Sequence, residues 1–215
     1  MKHILSFRAK SGNLLLYVFL FASSMLSAQN ATLLDMFYEG VSQSCTDLSY
    51  TYSVRMSGIN NVGQGTLSAQ DLMWTMKGNG VEMYCDSASL WVLDPALKEA
   101  VIEPAATDAQ AQILTNPAVL FVRMKEVFDV RESRNTSDGD AVLYILQPKT
   151  AGVFDYFNVE IRKSDRMIRN GSFALKDGTL IKIEVSSMKL TPKRSVEDFR
   201  PRTIFDSSWI VTDLR

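Results

Sequence analysis

Few side chains of this 215-residue chain could carry out acid–base or nucleophilic chemistry. The only histidine is His3, in a segment that export would remove, and a Ser-His-Asp triad, a Cys-His pair or an imidazole metal site needs a histidine. Ser87 and Ser89 have no neighbouring base and no Gly-x-Ser-x-Gly elbow. Asp86 and Asp94 lie beside predicted turns, where aspartate caps the main chain more often than it forms a glycosidase pair. We therefore expect no enzyme activity, no metal site and no cofactor.

Cys45 and Cys85 are the two cysteines of the chain. Their spacing is too wide for a redox Cys-x-x-Cys pair, and two cysteines are too few for a structural zinc site. In an oxidising compartment an even number of cysteines often indicates a disulfide. Two buried free thiols are the alternative, and the sequence leaves both states open.

The N-terminal 28 residues have the parts of a secretory signal peptide. Lys2, Arg8 and Lys10 form a basic head, an apolar run extends from Leu14 to Leu26, and Ser27-Ala28 supplies small residues for cleavage. The run is short for a membrane anchor, although an uncleaved N-terminal helix is the alternative. No cysteine follows the small residues, so a lipid anchor is not expected. We predict export across the inner membrane.

Cleavage after residue 28 would leave 187 residues, a length that suits one domain over 29–215. This part carries 20 basic and 24 acidic side chains, a net charge of −4. Such a balance does not favour nucleic-acid binding, which requires a clustered basic face. We expect a monomeric, soluble and exported domain.

The apolar pattern predicts one helix followed by many strands. Residues 31–44 place Leu33, Leu34, Phe37 and Val41 on one helical face. After this segment the apolar period changes to two, which is typical of half-buried strands. Hairpin turns are predicted at Asn60-Asn61 with Gly63, Lys77–Gly80, Asp138-Gly139 and Asp177-Gly178.

Residues 104–124 interrupt the strand pattern. Asn116-Pro117 is a helix start signal, and Leu114, Leu120 and Phe121 would lie on the apolar faces of two short helices. A meander of this length curls into a barrel or half-barrel, and the insert is placed to cover its mouth. We predict an α+β, mainly β fold: an antiparallel open half-barrel of many strands, with an N-terminal helix and a short helical lid insert. The alternative is a sheet whose helices plug an ordinary core.

Short motifs between residues 65 and 95 form the recognisable part of the chain. They are Trp74-Thr-Met-Lys-Gly-Asn79, Cys85-Asp86, Leu90-Trp91 and Asp94-Pro95. Two later stretches, Asp177–Ile183 and Ile210–Arg215, extend the pattern. Together these motifs resemble the periplasmic outer-membrane lipoprotein carrier proteins, the LolA-like family, in its divergent branch.

The resemblance implies an incomplete β-barrel with a helical lid over an apolar cavity that receives lipoprotein acyl chains. It implies a periplasmic chaperone that takes acylated lipoproteins from an inner-membrane exporter to the outer membrane and an acceptor there. One position departs from the family pattern. The arginine before a proline that latches the lid in better-studied members is replaced here by Gln70-Asp71, so that latch is not carried over.

The resemblance also selects candidate site residues. Methionine provides a flexible, polarizable lining, although methionines and aromatic residues in alternating strands commonly form plain core. The candidate cavity residues are Trp74, Met76, Met83, Trp91, Phe157, Val159 and Ile161, and the candidate lid residues are Leu114, Leu120 and Phe121. The alternative function is a half-barrel module that senses lipid or misplaced lipoprotein and regulates a membrane partner.

Overall fold

The computed structural model describes residues 32–106, 122–133 and 139–215. The predicted signal peptide and the lid candidates Leu114, Leu120 and Phe121 lie outside these residues. Leu33–Arg215 form one unit by their mutual contacts. In the parts described, no helix has the length and apolar character needed to cross a bilayer.

The predicted N-terminal helix is confirmed as α1, which spans Leu33–Ser42. Leu34, Phe37 and Val41 are buried, as their spacing along one helical face predicts. A second helix of the described chain, α2, spans only Met124–Val127. Side chains of both helices pack into one apolar core with one face of the sheet.

The described residues form twelve strands that make a single sheet. The strands are β1 (Cys45–Met56), β2 (Ile59–Gln70), β3 (Met73–Gly78), β4 (Val81–Cys85), β5 (Ser89–Asp94), β6 (Glu99–Pro104), β7 (Phe128–Glu132), β8 (Ala141–Pro148), β9 (Phe154–Arg162), β10 (Ile168–Leu175), β11 (Leu180–Thr191) and β12 (Ile210–Asp213). Their order across the sheet is β12-β6-β5-β4-β3-β2-β1-β11-β10-β9-β8-β7. All neighbours are antiparallel except β12, which runs parallel to β6. The predicted fold class, mainly β with an open antiparallel sheet, is confirmed.

The first hairpin turns earlier than the sequence predicts. Ser57-Gly58 forms the turn with φ angles of 43° and 85°, whereas Asn60-Asn61 and Gly63 lie within β2. The prediction of a turn at those residues is therefore wrong. The turn at Asn79-Gly80 is confirmed, with φ angles of 51° and 82°.

The glycines of β2 make room for tyrosine rings instead. Tyr52 lies opposite Gly63 and Tyr50 lies opposite Gly65 in the register of β1 and β2. A Cβ added at Gly63 would lie 2.6 Å from the Tyr52 ring, and one at Gly65 would lie 2.8 Å from the Tyr50 hydroxyl. Both rings can therefore lie across the neighbouring strand only because a side chain is missing there.

The strand register divides the sheet into two faces, since directly opposite residues share a face. One row of residues in register across β1–β6 consists of Thr46, Ala69, Trp74, Cys85, Leu90 and Glu103. Trp74 and Leu90 of this row pack in the core with α1. We call this side the concave face and the other side the convex face.

The segment after β11 crosses the convex face. Its 3₁₀ turn, Val196–Phe199, packs against β3, and the side chain of Phe199 is buried. Farther along, Phe205 and Trp209 pack on a small apolar cluster that contains Trp91. The two faces thus have separate cores.

Candidate functional site

A cavity of about 650 Å³ lies on the concave face and is open to solvent. This volume falls within the range of roughly 300–1,000 Å³ that is usual for small-molecule sites. Strands from both halves of the sheet contribute mostly apolar side chains to it. They include Leu48, Tyr50, Tyr52, Val54, Leu67, Trp74, Met76, Val81, Met83, Leu90, Val92, Met124, Phe154, Phe157, Val159, Ile168, Phe173, Ile181, Ile183 and Val185.

One wall of the cavity is made of methionine. Met76 of β3 and Met83 of β4 are a directly opposed pair, and both line the cavity. Unbranched thioether side chains change rotamer easily and adapt to irregular shapes. This wall can adjust to the surface of a bound apolar molecule.

A second wall, on β9 and β10, is made of phenylalanine. The Phe157 ring centroid lies 4.6 Å from that of Phe154 and 5.3 Å from that of Phe173. Phe128, which is fully buried, supports Phe157 from β7 in an edge-on contact at 4.9 Å. Mutual contacts of this kind fix the rings in place. This wall is stiffer than the methionine wall.

Five of the residues predicted for the cavity lie in its lining: Trp74, Met76, Met83, Phe157 and Val159. A sixth, Ile161, is fully buried in the same core but does not line the cavity.

The prediction that Trp91 lines the cavity is wrong. Leu90 and Val92 of β5 lie opposite Cys85 and Met83 on the concave face. Strand alternation therefore turns Trp91 to the convex face, where it packs with Phe205 and Trp209 rather than near Trp74.

Several lining residues were not predicted from the sequence. Ile181, Ile183 and Val185 alternate clearly along β11, so their shared face was visible in the pattern. The pattern could not say that this face looks into the cavity, because that depends on the pairing of β11 with β1. Met124, which is fully buried, is the last residue of the predicted insert 104–124 and was not among the residues assigned to its apolar faces.

Cys45 and Cys85 are buried free thiols. Cys45 adjoins Thr46, which is in register with Ala69, Trp74 and then Cys85, so three strand spacings separate the cysteines. At about 4.8 Å per spacing this is roughly 14 Å, whereas bridged Cα atoms lie within about 7 Å of each other. Alternation also places the two side chains on opposite faces of the sheet. The sequence left open a disulfide or two free thiols, and the structure contains the free thiols.

The electrostatic character of the lining is simple. Burial raises the pKa of Tyr50, with a smaller contribution from the neighbouring Tyr52, so its hydroxyl stays neutral at physiological pH. Glu103 is the single ionisable carboxyl group among the described lining residues. The described chain contains no cluster of three or more metal-ligating side chains. Such a site can hold an apolar molecule without covalent chemistry.

Gln70 and Asp71, which replace the family's arginine and following residue, both contact the segment after β11. Asp71 accepts hydrogen bonds from Lys193 Nζ at 2.9 and 3.1 Å. The buried Gln70 side chain binds the main chain of Arg194. In this chain the position therefore holds the C-terminal segment on the convex face.

Comparisons with known proteins concern the fold. No protein-family model and no curated protein matches the sequence. An uncharacterized conserved protein from Thermus thermophilus has a similar structure, with a TM-score of 0.51, 16% identity, and 87% of this chain and 99% of that chain covered. A DUF1329 family protein from Desulfovibrio piger gives a TM-score of 0.47 at 11% identity, over 78% of this chain and 94% of that one.

A LolA superfamily protein from Nitrosomonas europaea also matches, with a TM-score of 0.42 and 11% identity, over 80% of this chain and 99% of that chain. At such identities a likeness is one of fold alone. The incomplete β-barrel that the LolA-like resemblance implied is the fold observed in this chain.

Proposed function

We propose that this chain is a periplasmic carrier that binds the acyl chains of lipoproteins in its concave cavity and moves lipoproteins from the inner to the outer membrane. The observation that carries the proposal is the open apolar cavity of about 650 Å³ with its methionine and phenylalanine walls. The LolA-like motifs support a lipoprotein as the cargo. The signal-peptide pattern of residues 1–28 supports the periplasm as the location.

The openness of the cavity fits a carrier better than a permanent binding site. Each methylene removed from water contributes roughly 0.8 kcal/mol. Complete burial of two or three long acyl chains would exceed about 20 kcal/mol, the practical ceiling of non-covalent affinity. A carrier must release its cargo, so partial enclosure is required. The cavity, which remains open to solvent, provides it.

In this proposal capture and release involve no bond making. The phenylalanine wall offers a fixed apolar surface, and the methionine wall closes on chains of varying shape. Cargo leaves when an acceptor buries the chains more completely. The partners are an inner-membrane exporter that hands over lipoproteins and an outer-membrane acceptor that receives them.

The test uses protein purified from the periplasm of its host. Native mass spectrometry should find acylated species bound, and the purified protein should release lipoproteins from inner-membrane vesicles that contain the exporter. A regulatory module of the same shape would bind acylated species without carrying them to outer-membrane vesicles. Absence of both binding and release would reject the carrier function.

Location is tested separately. Fractionation should recover a species that begins at Gln29 in the periplasmic fraction. An uncleaved species that stays with membranes after a carbonate wash would show that Leu14–Leu26 acts as an anchor.

A further inference from the structure

We propose that the cavity accepts uncharged acyl chains, joined to their carrier molecule by ester or amide bonds, and rejects free fatty acids, with Glu103 as the residue that sets this preference. The inference rests on the proposed acyl-chain function and specifies the chemical class of the chain.

Basic side chains are missing from the cavity. None of the described lining residues is lysine, arginine or histidine. The described segments that pack against this core, α1 and residues 99–106, contain no basic residue. These segments therefore bring no cation to the cavity.

Two basic residues adjacent to lining residues, Lys77 and Lys125, form ion pairs outside the cavity. Lys77 lies between Met76 and Gly78, but alternation places its side chain on the convex face, where Nζ binds Glu82 at 2.9 Å. Lys125, which follows the lining residue Met124, forms an ion pair with Asp35 of α1. These cations are held by carboxylates outside the cavity.

Glu103 gives the cavity its charge. It lies opposite Leu90 in the register of β5 and β6, so its side chain shares the concave face with a lining residue. No ion pair to Glu103 occurs within the described part of the chain, and its side chain is partly exposed. The cavity thus presents a carboxylate without a counter-ion.

Binding of a free fatty acid would be unfavourable whether its carboxylate lies deep in the cavity or at the open side. A carboxylate placed deep in the cavity would be buried without a cation, which is strongly disfavoured. A carboxylate placed at the open side could face Glu103 and be repelled. An ester or amide has neither problem, because it carries no charge.

The test compares three probes with the same twelve-carbon chain: dodecanoate, methyl dodecanoate and dodecyltrimethylammonium. Each is measured at neutral pH by displacement of a neutral fluorescent probe from the exported protein. We expect methyl dodecanoate and the ammonium to bind about tenfold or more tightly than dodecanoate. Equal affinities of the wild-type protein for dodecanoate and its methyl ester would overturn the inference. If none of the three displaces the probe, the acyl-chain function itself is wrong.

Variants identify the residue responsible. Glu103→Gln should raise the affinity for dodecanoate several-fold relative to that for the methyl ester, and Glu103→Lys should make dodecanoate the more tightly bound of the two. Glu99→Gln is the matched control, because Glu99 lies on the same strand and face but outside the lining, and it should change neither affinity. If the ratio of the affinities for methyl dodecanoate and dodecanoate is the same in Glu103→Gln as in the wild type, Glu103 does not set the preference.

Uncharged acyl chains have two sources, lipoproteins and neutral glycerolipids. A synthetic diacylglyceryl-cysteine peptide and a diacylglycerol with the same chains separate them. Tighter binding of either over the corresponding fatty acid supports the preference for uncharged chains. Tighter binding of the lipopeptide than of the diacylglycerol supports the lipoprotein as the source.

Discussion

The side-chain amide of Gln70 pairs with the main chain of Arg194 as a neighbouring strand residue would. Gln70 Nε2 donates to the Arg194 carbonyl at 3.1 Å, and Gln70 Oε1 accepts from the Arg194 amide at 2.7 Å. The Arg194 guanidinium in turn forms an ion pair with Asp47 of β1. The segment after β11 is therefore attached to β1 and β2 by side chains rather than by a strand ladder.

Replacing Gln70 with alanine should loosen this attachment. Both main-chain groups of Arg194 would lose their partner, and we expect the free energy of unfolding to fall by about 1–3 kcal/mol. Urea denaturation measures the change, and Gln64→Ala, an exposed glutamine on the same strand, is the control. Acyl-chain affinity should not change, because Gln70 lies on the convex face. A loss of affinity at unchanged stability would contradict this assignment.

A larger side chain at Gly171 should fill the cavity without disturbing the fold. Gly171 lines the cavity opposite Val159, and a Cβ there would meet only the Asn158 carbonyl at 3.7 Å, an ordinary contact. Gly171→Leu should therefore lower acyl-chain affinity about tenfold or more while the free energy of unfolding stays within about 1 kcal/mol. Gly152→Leu, at an exposed glycine with open space around it, is the control. Equal affinities of the two variants would place the acyl chain elsewhere.

The two faces of the sheet can be distinguished by fluorescence quenching. A brominated acyl chain in the cavity should quench Trp74, which lines it, and spare Trp91, which packs with Trp209 on the convex face. Trp74→Phe should remove most of the quenching, and Trp91→Phe should preserve it. Quenching that disappears in Trp91→Phe instead would mean that the chain binds on the convex face.

Asp86 should contribute a pH-dependent part of the stability. Burial alone would raise its pKa, but hydrogen bonds from the Ser89 amide, the Arg200 side chain and the Ala88 amide outweigh burial and lower the pKa below its ordinary value. The Arg200 contact is 2.7 Å long. Since the pKa is lower in the folded state, the stabilisation is present above the unfolded value of about 3.9 and is lost as the pH falls below it.

Asp86→Asn should therefore lower the free energy of unfolding by about 1–2 kcal/mol near pH 7. The loss is limited because the partner Arg200 is partly exposed, so that solvent weakens the ion pair. The difference in the free energy of unfolding between the variant and the wild type should shrink below about pH 4, because Asp86 of the wild type is then protonated in the unfolded state. Asp94→Asn is the control: Asp94 accepts from the Ala96 and Leu97 amides at 3.0 Å, with no arginine partner in the described residues. Unfolding curves between pH 3 and pH 7 measure both variants, and parallel losses would show that the arginine contributes nothing.

The cysteines should be found reduced even after export. The exported protein, unfolded in urea without reductant, should react with iodoacetamide at both Cys45 and Cys85, because they lie on opposite faces of the sheet. Intact-mass measurement counts the adducts. A protein that takes up none and weighs two hydrogens less than its reduced form would contain the disulfide.

The sequence predicted the helices and strands of this fold better than it predicted which residues of each strand face the cavity. Local features were predicted well: α1, the alternation along the strands and the turn at Asn79-Gly80. They depend on apolar periodicity and turn chemistry, which involve only residues close together in the sequence. Gly63 shows the limit of that logic. From the sequence Gly63 was assigned to a turn. In the structure a glycine is needed there because the Tyr52 ring of the adjacent strand occupies the space of a side chain, and this contact follows from the strand register.

The same limit applies to the candidate site. Trp74 and Met76 share a face by simple alternation, and both were predicted for the cavity. Trp91 was misplaced because the loop between β4 and β5 determines which residues of β5 face inward, and its geometry was not evident from the pattern. Phe154 and Phe173 join Phe157 only through the pairing of β9 with β10 and the local packing around it.

An open sheet has a mechanical property that a closed barrel lacks. Closure fixes the radius of a barrel through its strand number and shear. Here the described strands end at β7 on one side and β12 on the other, so ring closure does not fix the curvature. Bending the sheet rotates neighbouring strands slightly and keeps their hydrogen bonds. The cross-section of the cavity can therefore widen or narrow with the size of a bound molecule, because the sheet bends and no strand ladder has to break.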